Sequence, residues 1–142
     1  MINIQYRKYN FKFKEDKGKK YIFDEIRKKY ILLTPEEWVR QNFLHHLIYD
    51  LSFNKNKIAL EKEFTVNQLK KRFDILVYDK NFEVFMIVEC KAPEIKIDNK
   101  TAKQIFNYNI KFNAQYLVLT NGNYTFCLGK DKKWESKLPK YL

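Results

Sequence analysis

Apolar residues dominate the stretch Arg72-Phe-Asp-Ile-Leu-Val-Tyr-Asp-Lys-Asn-Phe-Glu-Val-Phe-Met-Ile-Val-Glu-Cys-Lys91, interrupted only by Asp79 to Glu83. The pattern predicts two strands joined by a short polar loop. With Lys80–Glu83 as the loop, Asp79 pairs with Val84, Tyr78 with Phe85, Leu76 with Ile87, and Asp74 with Glu89. Val84, Met86, Val88 and Cys90 take one side of the second strand, and Phe85 and Ile87 the other. In the first strand Phe73, Ile75 and Val77 oppose Leu76 and Tyr78. Strands that are apolar on both faces belong in a sheet covered by helices on both sides.

The flanking pattern is consistent with that layering. Residues 9–14 and 20–23 alternate apolar and charged around Glu15-Asp-Lys-Gly18 and predict a peripheral hairpin, with Ile31–Leu33 as a further short strand. Thr34, Pro35, Glu36 and Glu37 form a helix start. Val39, Phe43, Leu47 and Leu51, widened by Leu44 and Ile48, carry that helix to about Leu51. Residues 58–64 read as a strand, and Ala92-Pro93 ends the strand before it. A helix over about 101–112 precedes strands at 116–120 and 124–128. The predicted architecture is α/β: a three-layer α/β/α core with a central mixed sheet. It forms one domain, with a hairpin extension over 1–33, a core over 34–128 and a basic, lysine-rich tail over 129–142.

Composition narrows the class. Apolar residues make up 45% of the 142-residue chain, with only three glycines and three prolines, so it is globular and has no evident flexible linker. Lys and Arg outnumber Asp and Glu by 28 to 17, a net charge of +11, which favours a polyanionic partner such as nucleic acid. Cys90 and Cys127 lie in apolar strand patterns, as buried free thiols of a reducing cytoplasm would. His45 and His46 point to different sides of one helix and do not suggest a metal site. The Met1–Arg7 start has no long apolar run, which argues against a signal peptide or a membrane span.

The chemistry sits at the end of the 73–91 hairpin. Alternation turns Glu89 and Lys91 to the same side as Asp74, which puts two carboxylates and an ammonium together. Two bare carboxylates repel each other, and a divalent ion with a preference for hard oxygen ligands, Mg²⁺ or Mn²⁺, relieves that. The simpler alternative is a solvated strand end with a surface ion pair. Lys70, Lys71 and Arg72, with Lys96, Lys100 and Lys103, form a candidate basic rim for phosphates. No Gly-x-x-x-x-Gly-Lys-Ser/Thr loop occurs, so the chain is not a P-loop motor, and no helix-turn-helix or zinc module suggests sequence-specific reading.

Asp74 with Glu89-Cys90-Lys91, in the order helix, three strands, helix, two strands, resembles the PD-(D/E)XK nuclease superfamily. The stretches Leu33–Gln41, Lys71–Ile75, Ile87–Pro93 and Thr120-Asn-Gly122 are similar to the N-terminal nuclease domain of type I restriction enzyme R subunits. The resemblance covers roughly residues 20–128, and departs from the superfamily pattern at Phe73, where the motif name has proline. It implies a restriction-endonuclease-like fold and a metal-dependent DNA endonuclease of a restriction or defence system, with DNA and other restriction subunits as partners. It further implies that Asp74, Glu89 and the Cys90 carbonyl hold Mg²⁺ and that Lys91 acts on the attacking water or the phosphate. Gln104-Ile-Phe-Asn-Tyr108 resembles the Gln-x-x-x-Tyr element of RecB-like nucleases, so Gln104 and Tyr108 are candidate phosphate or supporting contacts. The fold's first helix often adds an acidic residue. Glu36 is preferred because it faces the sheet, Glu37 is assigned to a capping box, and Glu61 and Glu63 are weaker candidates. The alternative class is a catalytically silent nucleic-acid-binding module; an RNA-directed nuclease has the same sequence features.

Overall fold

The computed structural model describes residues 1–141. Eight strands form two sheets. The larger contains β4 (Ile58–Val66), β5 (Leu69–Tyr78), β6 (Val84–Cys90), β7 (Tyr116–Thr120) and β8 (Thr125–Gly129), neighbouring in that order. All its neighbours are antiparallel except β6 and β7. That parallel pair needs a crossover, and helix α2 (Asn99–Asn109) supplies it. Helix α1 (Pro35–His45) and the turn after it cover one face, packing Val39, Phe43 and Leu44 of the helix and Leu47 of the turn on Ile58, Ile75, Met86 and Val88. On the other face α2 packs Ala102 and Phe106 on Leu76, Ile87, Leu117 and Leu119. The expected α/β/α layering is therefore present, and both strands of the central hairpin are buried on both sides.

The hairpin register matches the expected one at Leu76↔Ile87 but not at the loop end. A bulge between Val77 and Tyr78 pairs Tyr78 with Val84, not Phe85. The larger departure is a switch of faces. Leu60 and Phe64, of the same parity in β4, pack on opposite sides, and so do Ile75 and Phe73 in β5. Simple alternation forbids this. Glu61 lies between, with φ of 55°, a left-handed residue inside a strand. It rotates the pleat, so Phe64 and Phe73 swing under Phe112, at ring-centroid distances of 5.9 and 5.0 Å. In the register of β4 and β5, Asp74 lies opposite Glu61, at the switch itself.

Thr34 caps α1 by accepting the Glu37 N–H at 3.0 Å. The α-helix stops at His45, short of the expected Leu51, and continues as a π-helical turn over His46–Asp50. Asp50 holds that turn, accepting from the Tyr9 hydroxyl at 2.5 Å and pairing with Arg7 and His46. α2 begins at Asn99, capped by Asp98, and ends in a 3₁₀ turn closed by Asn113 at φ of 58°.

The segments outside the core are more integrated than expected. β1 (Phe13–Asp16), β2 (Lys19–Asp24) and β3 (Lys29–Leu32) form a three-stranded antiparallel sheet. Its Asp24 is fully buried, accepting from the Ile26 and Arg27 amides, Arg27 Nε and Gln41 Nε2 at 2.7–2.8 Å, which ties this sheet to α1. Ile2 bridges Thr125 beside β8. The lysine-rich tail returns as well: Leu138 and Tyr141 pack on the α1-side core, and Trp134 bridges Leu128.

His45 is buried among Tyr9, Phe11 and Tyr49, and its Nε2 has no hydrogen-bond partner among the described residues. Burial lowers its pKa from the ordinary 6.5; Glu25 and Asp24 oppose that shift and Lys55 adds to it. The unfolded chain therefore binds a proton below pH 6.5 that the folded chain refuses, so stability falls as pH drops through that range. His45→Phe, which removes both the proton site and the unpaired nitrogen, is expected to flatten the decline in Tm between pH 7 and 5. An unchanged decline would place the titration elsewhere.

Candidate active site

Asp74 and Glu89 stand next to the Ile75↔Val88 pair, at the end of the buried part of the hairpin. The Cys90 amide donates to Asp74 Oδ2 at 2.7 Å, so the middle of the Glu89-Cys90-Lys91 run is bonded to the aspartate. The Asp74 carboxylate also meets Arg40 of α1, with Nη2 at 3.2 Å from Oδ1. Burial pushes the Asp74 carboxyl up to about 6; the Cys90 amide and Arg40 oppose the shift, while Glu36 and Glu61 add to it.

Arg40 is the residue that sequence reading undervalued. It is only 5% exposed and its guanidinium joins Glu61, Asp74 and Glu37, the last at 3.8 Å. Burial works against its charge, but Glu37, Asp74 and Glu61 together hold its pKa above the ordinary value. Its partners come from three elements, α1, β4 and β5. The signal was present as a lone arginine on the apolar side of α1, one residue from Val39.

Glu36 and Glu37 exchange their expected places. Glu37 is buried, and its carboxylate accepts from Arg27 at 2.9 Å and Gln41 at 3.1 Å, with no return to Thr34. Only half of a capping box therefore forms. Glu36 is exposed, although its charge reaches Asp74 and Cys90. Glu61 joins Arg40, whereas Glu63 pairs outward with Lys70 at 3.4 Å.

Glu89 has different company. It pairs with Lys71 and accepts from Asn109 Nδ2 of α2 at 2.8 Å; Lys71 in turn donates to Asn109 Oδ1 at 2.9 Å. The two carboxylates are thus engaged from opposite faces, Asp74 by α1 and Glu89 by α2. This corrects the expectation that alternation turns both the same way, and the face switch at Glu61 is its cause. Among the described residues no group of three or more His, Cys, Asp or Glu side chains lies close enough to hold a metal ion.

Tyr108 joins the Glu89 side, with the Lys71 ammonium 5.0 Å from its ring centroid. Gln104 is exposed, one turn earlier on the same helix, and makes no hydrogen bond among the described residues. The Lys91 amide donates to Thr120 O at 2.8 Å, while its ammonium makes no ion pair among the described residues. Of the expected basic rim, Lys71 is committed to Glu89, Lys70 to Glu63 and Arg72 to Glu61. Cys90 and Cys127 are buried free thiols, as expected, and burial raises the pKa of both.

A family model for the type I restriction enzyme R protein N terminus matches residues 35–139, from the start of α1 into the tail. The chain belongs to this family. No curated protein sequence matches it significantly. The match spans α1, the complete five-stranded sheet and α2, so the elements that carry Asp74, Glu89, Lys91 and Arg40 are those the family shares. The restriction R N-terminal domain described here has no helix long and apolar enough to cross a membrane among its described residues.

Proposed function

We propose that this chain is a Mg²⁺-dependent nuclease that hydrolyses DNA phosphodiester bonds with little sequence specificity, in a cytoplasmic restriction or defence system. The observation that carries the reading is the 2.7 Å bond from the Cys90 amide to Asp74, which joins the two halves of the motif across a doubly covered sheet. The donor types suit a hard cation, two carboxylates and the Cys90 carbonyl; because Asp74 and Glu89 are engaged from opposite faces, one ion would require Glu89 to leave Lys71 and turn toward Asp74. Burial, with Glu36 and Glu61 adding to it, lifts Asp74 to about 6, and a divalent ion beside the carboxylate would oppose that shift.

Asp74, Glu89 and the Cys90 carbonyl would hold the ion, for which Mn²⁺ could substitute. Bound there, it would supply a more acidic water and charge neutralisation at the phosphate. The chain's own residues supply the rest. Lys91, without a partner among the described residues, orients the attacking water or stabilises the phosphorane-like charge. Lys71 and Asn109 fix the Glu89 carboxylate, with Tyr108 beside Lys71; Glu36 adds its charge on the Asp74 side, and Gln104, one turn before Tyr108, would contact phosphate. The surplus of Lys and Arg gives salt-sensitive affinity for the backbone.

A second reading rests on another observation. Each carboxylate already has a protein cation, Arg40 on Asp74 and Lys71 on Glu89, as in a silent nucleic-acid-binding module. The discriminating experiment incubates the purified chain with plasmid, single-stranded DNA and RNA in Mg²⁺, Mn²⁺ or EDTA. The nuclease reading expects cleavage in either metal, none in EDTA, and none from Lys91→Ala, which still binds DNA and metal. Salt-sensitive binding without cleavage in any metal would select the silent module. Cleavage of RNA alone would move the substrate class.

A further inference from the structure

Away from the carboxylates, α2 and the returning tail enclose a cavity of about 490 Å³, lined by Trp134, Phe106, Ile110, Leu128, Lys103 and Lys132, among others. Trp134 is held in place by its bridge to Leu128 of β8 and by ring contacts to Phe106 at 5.8 Å and Phe126 at 6.1 Å. Half of the indole nonetheless remains open, at 46% exposure, and Ile110 beside it is 39% exposed. The turn below it is tight. A Cβ on Gly129 would lie 2.5 Å from Glu135 Oε1, so Glu135 folds back under the turn. Asp131 accepts from the Lys133 amide at 3.2 Å and lies 4.0 Å from its ammonium. Lys103 and Lys132 are left at the rim with no ion pair among the described residues. A fixed aromatic ring in a cavity that two lysines also line is complementary to a flat ring carrying a phosphate.

We infer that this pocket binds one unpaired nucleotide of a single strand, its base on Trp134 and its phosphate on Lys103 and Lys132. The inference rests on the nucleic-acid reading above and extends it to a second contact. The two sites flank one helix: Asn109 reaches Glu89, while Lys103, Phe106 and Ile110 face the pocket. A strand engaged at the carboxylates therefore crosses α2 to reach Trp134. Duplex DNA, whose bases are stacked inside, cannot present the ring, so the pocket favours single-stranded or unpaired segments.

The chain has two tryptophans, and Trp38→Phe leaves Trp134 as the sole indole reporter. In EDTA, a fluorescein-labelled oligodeoxythymidylate of roughly ten nucleotides is titrated against this protein, beside an abasic strand of equal length. The oligonucleotide is expected to quench Trp134 and the abasic strand to leave it nearly unchanged. Trp134→Ala should weaken oligonucleotide binding about tenfold and abasic binding little, as loss of one stacked base would. Lys103→Glu with Lys132→Glu should weaken both strands; this pair and the quenching itself test the idea even where Trp134→Ala fails to fold. Oligonucleotide binding by anisotropy with Trp134 unquenched would overturn the inference while the nucleic-acid reading stands. No anisotropy change with any nucleic acid would remove both. Self-association lost in Trp134→Ala, without quenching, would overturn it in favour of a protein contact.

Discussion

Arg40→Met is expected to destabilise the fold by about 3–5 kcal/mol at pH 7, the usual cost of leaving buried charge uncompensated. The guanidinium serves Glu61, Asp74 and Glu37, and two of these carboxylates lie among the most enclosed acids of α1 and β5. A surface pair would cost under about 1 kcal/mol, so the size of the loss separates the two cases. The pH dependence adds a second check. Asp74 already has its pKa raised from 3.8 to about 6, and loss of Arg40 raises it further. The folded protein then takes up a proton, at a pH where the unfolded chain does not, and stability rises as pH falls from 7 toward 4. The penalty of Arg40→Met is therefore expected to shrink on acidification. Urea unfolding at pH 7 and pH 5 measures it; a loss below about 1 kcal/mol at both would show that the cluster is solvated.

Asp74→Asn is expected to lower cleavage by more than about a hundredfold and to abolish the rise in Tm produced by Mg²⁺. The amide oxygen still accepts from Cys90, so the strand pairing survives; the charge and the acceptor facing Arg40 are lost, and Arg40 keeps Glu61 and Glu37. The buried carboxylate is also a burden at neutral pH, because burial, Glu36 and Glu61 all favour its protonated form. The variant should accordingly stay folded. Assaying plasmid cleavage and thermal melting on the same sample, with and without Mg²⁺, checks both parts. Metal-dependent cleavage that persists in Asp74→Asn would place the chemistry elsewhere in the chain.

The two predictions separate the roles of neighbouring groups. Arg40 acts on stability first, since it compensates acids that would otherwise stand bare in the protein. Asp74→Asn is expected to act on chemistry first, since the buried charge is costly to the fold.

Much was legible along the chain because the signals are local. The doubly apolar pattern of 73–78 and 84–90 determined a covered central hairpin, and periods of two and 3.6 residues determined which segments are strands and helices. Thr34-Pro35 determined where α1 begins, and the facing apolar runs determined the Leu76↔Ile87 pairing, while the loop end is offset by the bulge at Val77/Tyr78. Each follows from the alternation of side chains, or from one capping hydroxyl, and needs no distant partner.

Tertiary structure decided the rest. The pleat rotates at Glu61, whose left-handed backbone no alternation rule anticipates, and this turns Asp74 toward α1 while Glu89 meets α2. Glu37 goes inward and Glu36 outward because Arg27, brought in by the N-terminal sheet, and Gln41, one turn on in α1, offer the buried carboxylate its hydrogen bonds. Trp134 looked like one aromatic in a polar tail, and became the wall of a pocket only when the tail returned to pair with β8. Local pattern determines which residues share a strand or a helix face. Charge compensation between elements far apart in the chain decides which carboxylates face one another.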